Sequence, residues 1–411
     1  MEPTSPTIST QHGHDARIVD LGRGDPGPDL LPAALVRDAA ERATARCDPD
    51  LLQYGHEPGD AGLRAAIAAL LEREGAGSSD PERLFVTAGA SLALHLVLTL
   101  FTEPGERVLV DAATYHLALA QFFDHRLRVE AVPGDAGGMD PDALERALRG
   151  GGAALLYLVP AFANPTGVTL EPERQQAIVA MAARHGLRVA ADEVYRLTGF
   201  SERPSPVSVP RSLAQLDGEH VLSLNSVSKI LSPGLRLGWI EGPERDLERI
   251  ERSGVLRSGG GMNPFTGALV REAIESGALS AHTARLRALL RERHDALAGA
   301  LRAELPEADF EPASGGYFLW VGLPGVDAGA ERTCEALRRH RVRVAPGTLF
   351  LAANPARGLD AARAAAAADE QRERVRLCFA HHAPAALRDG AARLAAAVEE
   401  LRRPGNAGAS V

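Results

Sequence analysis

The sequence predicts an α/β protein: a mostly parallel central sheet with helices on both faces, plus a smaller α+β C-terminal domain. Two observations predict it. Through the middle of the 411 residues, short apolar runs alternate with helix-patterned stretches, the rhythm of a parallel sheet wound with crossover helices. After about residue 280 that rhythm gives way to one long amphipathic stretch and then to closely spaced strand signals, which marks a second unit.

The elements follow in order. Residues 1–17 read as a disordered polar tail, and tail and arm together are expected to occupy 1–49. The large domain is expected over 50–280. Its strand candidates include Arg107–Asp111 (RVLVD), Leu155–Pro160 (LLYLVP), Leu187–Glu193 (LRVAADE) and Val221–Asn225 (VLSLN). They are short and apolar throughout, as strands buried on both faces are. Helices are expected between them over Pro141–Arg149 and Pro172–His185. The small domain, 281–411, opens with a helix over Ala281–Leu305. Strands follow at Gly316–Gly322, Val342–Ala345 and Arg374–Phe379. The stretch 360–371 is low in complexity and reads as a helix or a surface insertion. The closing PGNAGASV reads as a second tail.

Charge and composition exclude several classes. The 45 Lys and Arg against 54 Asp and Glu leave a net charge of −9, which argues against a nucleic-acid partner. No run approaches the roughly 20 apolar residues that span a bilayer, so no membrane partner is expected. The N-terminus lacks the apolar segment of a secretory signal. Cys47, Cys334 and Cys378 are widely spaced, form no CxxC pair and read as small buried hydrophobes. This fits a reducing cytoplasm, and no metal is expected. Lysine occurs once, at Lys229, so 44 of the 45 basic residues are arginine. A lone lysine directs attention to its chemistry.

Four clusters fall just after apolar runs, where open α/β sheets bind ligands. The first runs from Asn225 through Ser226, Ser228 and Lys229 to Arg236 and Trp239. It is either a surface loop with a solvated lysine or an anion site. Two hydroxyls and an arginine suit phosphate, and a lysine beside phosphate is a ligand or a Schiff-base nucleophile. The second is Asp192-Glu-Val-Tyr195, where the carboxylate either caps the next helix or is paired in a cleft. The third, Asn164-Pro-Thr-Gly167, is a turn that falls at the same edge. The fourth, Gly89-Ala90-Ser91, opens an apolar helix whose first N–H groups favour either a serine cap or a phosphate. Tyr115 follows another run and either packs at a helix start or presents a flat face to a ring. Arg376 lies in an apolar strand and needs a partner, either a structural carboxylate or that of a substrate.

In their shared order and spacing these pieces resemble the fold type I pyridoxal-phosphate enzymes, specifically the class I/II aminotransferases. The resemblance runs from about residue 20 to about residue 385. It takes in Gly24-Asp-Pro26, Tyr54-Gly55 with Gly59 and Arg64, Asn-Pro-Thr-Gly (164–167) and Asp-Glu-Val-Tyr (192–195). It continues through Ser-Val-Ser-Lys (226–229), Pro-Gly-Leu-Arg-Leu-Gly-Trp (233–239), Ser-Gly-Gly-Tyr-Phe-Leu-Trp (314–320), Ala-Pro-Gly (345–347) and Arg-Leu-Cys-Phe (376–379).

The resemblance implies a cofactor, pyridoxal 5′-phosphate, and a role for each residue. Lys229 would carry the cofactor as a Schiff base and then shuttle a proton, which guanidinium cannot do near neutral pH. Asp192 would pair with the pyridine nitrogen and keep the ring an electron sink. Tyr195 and Asn164 would donate to the ring's phenolic oxygen, and Tyr115 would stack on its face. Ala90, Ser91, Ser226, Ser228 and Arg236 would hold the phosphate. Arg376 would take the substrate α-carboxylate, with Asn164 beside it, and the arm near Gly24 would line the pocket. Tyr54 would reach the phosphate of a neighbouring subunit, which implies a homodimer with shared sites. Ala163 and Ala90 are less polar than the family pattern at those positions, and Gly259–Gly261 and His381–His382 match no motif.

The implied function is amino-group transfer between an α-amino acid and a 2-oxo acid. The alternative is elimination, cyclisation or carbon–carbon bond formation with the same cofactor, since the choice lies in which α-bond stands perpendicular to the ring. A third reading, the ligand sensor of a transcription regulator, expects an N-terminal DNA-binding domain. Only about 20 residues precede the resemblance, and they are not basic.

Overall fold

The computed structural model describes residues 17–45, 48–200, 209–352, 369 and 371–403. Cys47, most of the expected N-terminal tail, most of 360–371 and the closing PGNAGASV lie outside the described residues.

The centre is a seven-stranded sheet. Its strands in chain order are β1 Leu84–Thr87, β2 Arg107–Asp111, β3 Arg128–Val132, β4 Leu155–Leu158, β5 Arg188–Asp192, β6 Val221–Ser226 and β7 Gly238–Glu241. Their spatial order is β1-β7-β6-β5-β4-β2-β3. Only the pairings of β7 with β1 and β6 are antiparallel.

The alternation of side chains explains both covered faces. Val108, Val110, Leu155, Tyr157 and Ala190 join one core with the helix Ala90–Phe101. Leu109, Leu156, Leu158, Val189 and Ala191 join the other, with Pro141–Arg149 and Pro172–His185. Both helices keep the expected limits. Asp140 caps the first by accepting from the Asp142 N–H, with proline following it. Gly186 ends the second at φ 61°, a left-handed conformation that glycine adopts without steric cost.

The long helix runs Ala278–Glu304, three residues earlier at its start than the amphipathic pattern suggests, and it packs on Pro384–Arg402. The second sheet holds Phe318–Gly322, Arg374–Cys378 and Ala345–Pro346, all antiparallel. The single strand expected over Val342–Ala345 is in fact two. Val342–Arg343 pairs in parallel with Val19–Asp20, while Ala345–Pro346 pairs with Arg374–Cys378. The chain bends between them because each half has a different distant partner. The first pairing joins the beginning of the described chain to Val342–Arg343.

Candidate active site

The carboxyl ends of β4, β5 and β6 converge with the arm and with Arg374–Cys378. Lys229 lies in a 3-10 turn, Val227–Lys229, directly after β6. Ser226 caps that turn by accepting from the Ser228 N–H at 3.1 Å. The Lys229 Nζ donates to the Gly24 carbonyl at 3.1 Å. It stands 5.4 Å from the centre of the Tyr195 ring and 5.3 Å from that of Tyr317. The Tyr317 hydroxyl donates to the Lys229 carbonyl at 2.8 Å, fixing the turn. Burial lowers the proton affinity of this amine and the Arg376 charge lowers it further, while the Asp25 and Asp192 carboxylates oppose the shift.

Asp192 ends β5 and is buried. Ala190 and Tyr157 face the same core, and Asp192 follows Ala190 by two residues, so its side chain emerges beside Tyr157. The Tyr157 hydroxyl donates to Oδ2 at 2.9 Å. The other oxygen, Oδ1, is buried with no hydrogen-bond partner. Burial pushes the carboxyl up to about 6, against the pull of the Tyr157 hydroxyl, the Val194 N–H and the Lys229 charge. Asp192 caps no described helix, so the capping alternative is set aside.

Arg376 is buried in the strand Arg374–Cys378. Its Nη1 donates to the Asn164 side-chain oxygen at 2.8 Å and its Nη2 to the Gly22 carbonyl at 2.7 Å. The guanidinium lies over Phe318 at 4.2 Å and Phe350 at 4.8 Å. Among the described residues no carboxylate forms an ion pair with it, and Nε has no partner. The structural salt bridge is therefore not what holds it. Tyr195 is buried, edge-on to Tyr317 and Phe318, and burial raises its hydroxyl well above the usual range. Tyr115 precedes the helix His116–Asp124. Burial and the nearby Asp192 charge raise its hydroxyl to about 12.

A second group of residues forms a cradle beside the first. Gly89 at φ 87° precedes the helix Ala90–Phe101, so Ala90 and Ser91 carry N–H groups of its unsatisfied first turn. The Ser226 and Ser228 hydroxyls lie 2.8 Å apart. Arg236 adopts φ 47° and reaches the Pro233 and Ala88 carbonyls at 3.2 and 3.4 Å. A Cβ on Gly89 would lie 2.8 Å from the Arg236 Nη2. Among the described residues no carboxylate pairs with Arg236. A helix start beside a guanidinium with no carboxylate partner among the described residues is the kind of arrangement that attracts an anion.

Tyr54 stands apart at 79% exposed among the described residues. The triple glycine has a structural account: Gly55 and Gly261 form a bridge, and a Cβ on Gly261 would overlap the His56 carbonyl. His381 faces Asp25 at 3.4 Å, and His382 meets the Asp20 carbonyl at 3.1 Å, so both fasten the arm. Burial raises the Asp25 carboxyl, but bonds from His381 and Arg23 and their charges hold it well below the usual range.

Sequence reasoning missed Tyr157, Tyr317 and His116. Only a tyrosine set among leucines in LLYLVP hinted at the first. His116 packs edge-on to Phe350, and burial lowers its imidazole to about 4.

The family model for class I and II aminotransferases matches residues 16–394. The chain belongs to that family. It is 27% identical to aromatic-amino-acid aminotransferase 1 of Thermococcus litoralis, over 93% of this chain and 88% of the relative. It is 32% identical to 2-aminoadipate transaminase of Thermus thermophilus, over 82% of each. An uncharacterised HTH-type transcriptional regulator of Escherichia coli is 32% identical over 83% of this chain and 71% of its own length. Among solved structures, kynurenine aminotransferase of Pyrococcus horikoshii superposes with a TM-score of 0.83 at 27% identity. The match covers 95% of this chain and 93% of that one.

This aminotransferase uses pyridoxal 5′-phosphate and moves an amino group between an α-amino acid and a 2-oxo acid. The residues fit the cofactor. The free Asp192 Oδ1 suits a ring N–H, the cradle suits a phosphate, and Lys229 is an amine disposed to lose its proton. Among the described residues no cluster of three or more His, Cys, Asp or Glu could hold a metal. No described helix is long and apolar enough to cross a membrane.

Proposed function

We propose that this aminotransferase works through Lys229, Asp192, Tyr195, Asn164, Arg236 and Arg376. The observation that carries the reading is the half-buried lone lysine set beside a buried carboxylate with one free oxygen. Bound pyridoxal phosphate supplies the electron sink at the α-carbon. Lys229 Nζ carries the cofactor and then takes and returns the proton at that carbon, which needs an amine of lowered proton affinity. Asp192 Oδ1 holds the proton on the ring nitrogen. Tyr195 and the Asn164 amide hydrogens donate to the ring's phenolic oxygen, and the Asn164 oxygen already accepts from Arg376. Tyr115 stacks on the ring face. Ala90, Ser91, Ser226, Ser228 and Arg236 bind the phosphate. Arg376, already turned by Asn164 and Gly22, grips the α-carboxylate as a fork. Gly24 and the arm close the pocket and exclude water.

The chain divides into an arm to residue 49, a large domain over 50–280 and a small domain from 281. It works as a homodimer, with Tyr54 serving the partner's phosphate site. Tyr54 at 79%, Leu52 at 82% and Phe265 at 46% exposed support this, since they border the Gly55–Gly261 contact. The thiols of Cys378, buried, and of Cys334, exposed against the expectation of burial, are both free, which suits the reducing cytoplasm. The names of the relatives favour a bulky α-amino acid, aromatic or long and acidic.

Wild-type protein should show a visible absorbance that Lys229→Ala lacks. Borohydride should trap the cofactor on one lysyl peptide. Incubation with candidate amino acids should release 2-oxo acid and leave pyridoxamine phosphate. A colourless wild-type protein that binds no pyridoxal phosphate sinks the reading. The relationship to regulators favours a second one, in which the bound cofactor serves as a sensor. A retarded DNA band in a gel-shift assay, without release of 2-oxo acid, would establish it.

A further inference from the structure

We propose that Tyr157 is a positioning residue for the reaction, holding the Asp192 carboxylate in one orientation with Oδ1 free for the ring nitrogen of pyridoxal phosphate. The inference rests on the assignment of Asp192 to that nitrogen. Tyr157 lies within a strand read as core, and its ring is fully buried. Phe122 packs edge-on against it, with ring centres 5.4 Å apart at 73°, so the ring has little freedom. The hydroxyl donates to Oδ2 at 2.9 Å and leaves the carboxylate's other oxygen, Oδ1, buried without a partner. A carboxylate free to rotate would expose either oxygen to the ring. One anchored by a rigid phenol presents a single oxygen. Leu156 and Leu158 flank Tyr157 on the opposite face of the sheet and cannot replace it.

The hydroxyl acts on charge as well as direction. Asp192 is buried, and burial favours its neutral form, which cannot hold a proton on the ring nitrogen. The Tyr157 bond, the Val194 N–H and the Lys229 charge oppose burial, while the neighbouring Glu193 carboxylate reinforces it. Tyr115 and Tyr195 also face Asp192, but both are neutral near neutral pH, and burial raises them further. Among these groups Tyr157 is the one whose side chain touches the carboxylate. A charge-assisted bond of this kind shifts a titration by about one unit, or about tenfold in proton affinity.

The test compares holoenzymes of wild type and Tyr157→Phe. Affinity is measured across pH for pyridoxal phosphate and for 1-deaza-pyridoxal phosphate, whose ring nitrogen is replaced by carbon. Tyr157→Phe should weaken pyridoxal phosphate about tenfold at neutral pH. It should also move the acid limb of the binding profile up by about one pH unit. The deaza analogue should bind both proteins alike, since it offers no ring proton to hold. An unchanged affinity for pyridoxal phosphate, or an equal loss for both cofactors, overturns the proposal. If Tyr157→Phe does not fold, Tyr157→Met removes the hydroxyl while keeping apolar volume and is read the same way. A wild-type protein that binds no pyridoxal phosphate refutes the cofactor reading itself, a distinct result.

Discussion

Arg376 holds Asn164 with one nitrogen and Gly22 with another, so the guanidinium is fixed before any substrate arrives. A lysine at this position keeps the charge but has no fork, and it can reach only one of these partners. Arg376→Lys should raise KM for the amino acid by about tenfold or more while the visible absorbance of the bound cofactor persists. Steady-state kinetics beside an absorption spectrum checks this, and an unchanged KM contradicts the role. Asp111 makes a different case, because it takes no part in the site. Burial alone pushes its carboxyl up to about 7. In the unfolded chain the same group titrates at about 4. The folded state therefore binds the extra proton, and stability falls as pH rises from about 4 to about 7. Asp111→Asn removes that loss. Its melting temperature should exceed wild type by a few degrees at pH 8 and by much less at pH 5. Equal shifts at both values refute the account.

At the scale of elements, much of the fold was legible in the sequence. Pro141–Arg149 and Pro172–His185 lie as expected because caps and turn residues at their ends are local signals. The strand runs were legible because burial on both faces leaves nothing but apolar side chains in them. Two things were not. The division of Val342–Ala345 depends on distant partners, Val19–Asp20 and Arg374–Cys378. Tyr157 looks like any core residue until Asp192 is brought beside it. The order of the motifs made the candidate site legible, yet the two readings of Asp192 and Arg376 could be separated only by their neighbours in space. The arm is the element most exposed to test. Its Gly22 and Gly24 carbonyls receive Arg376 and Lys229, and a Cβ on Gly22 would lie 2.9 Å from the Val344 backbone. Gly22→Val should push the arm outward. It should raise KM several-fold and leave cofactor absorbance intact, as kinetics and spectra together would register. A wild-type KM would mean that the arm does not shape the pocket.

At the scale of the molecule, the question is whether one subunit suffices. Tyr54 projects from a surface that also exposes Leu52 and Phe265, and the proposed homodimer would bury these side chains. A twofold interface is self-complementary, so each subunit both gives and receives the same residue. If Tyr54 serves the partner's phosphate site while Lys229 serves its own, two separate defects can repair each other. Lys229→Ala should abolish activity. Tyr54→Phe should lose a large share of it and bind pyridoxal phosphate more weakly. In a dimer of one Lys229→Ala subunit with one Tyr54→Phe subunit, the two defects fall in the same site, and the other site holds both native residues. Co-refolding the two variants in equal amounts makes about half the dimers mixed, so about a quarter of all sites should be native by this symmetry. Activity of the mixture should rise above the mean of the separate variants toward that level, with cofactor affinity recovering in the same fraction. Dilution that splits the dimer should erase the gain. A mixture that stays at the mean of its parents would show that each subunit builds its site alone and that Tyr54 has no part in the neighbour's.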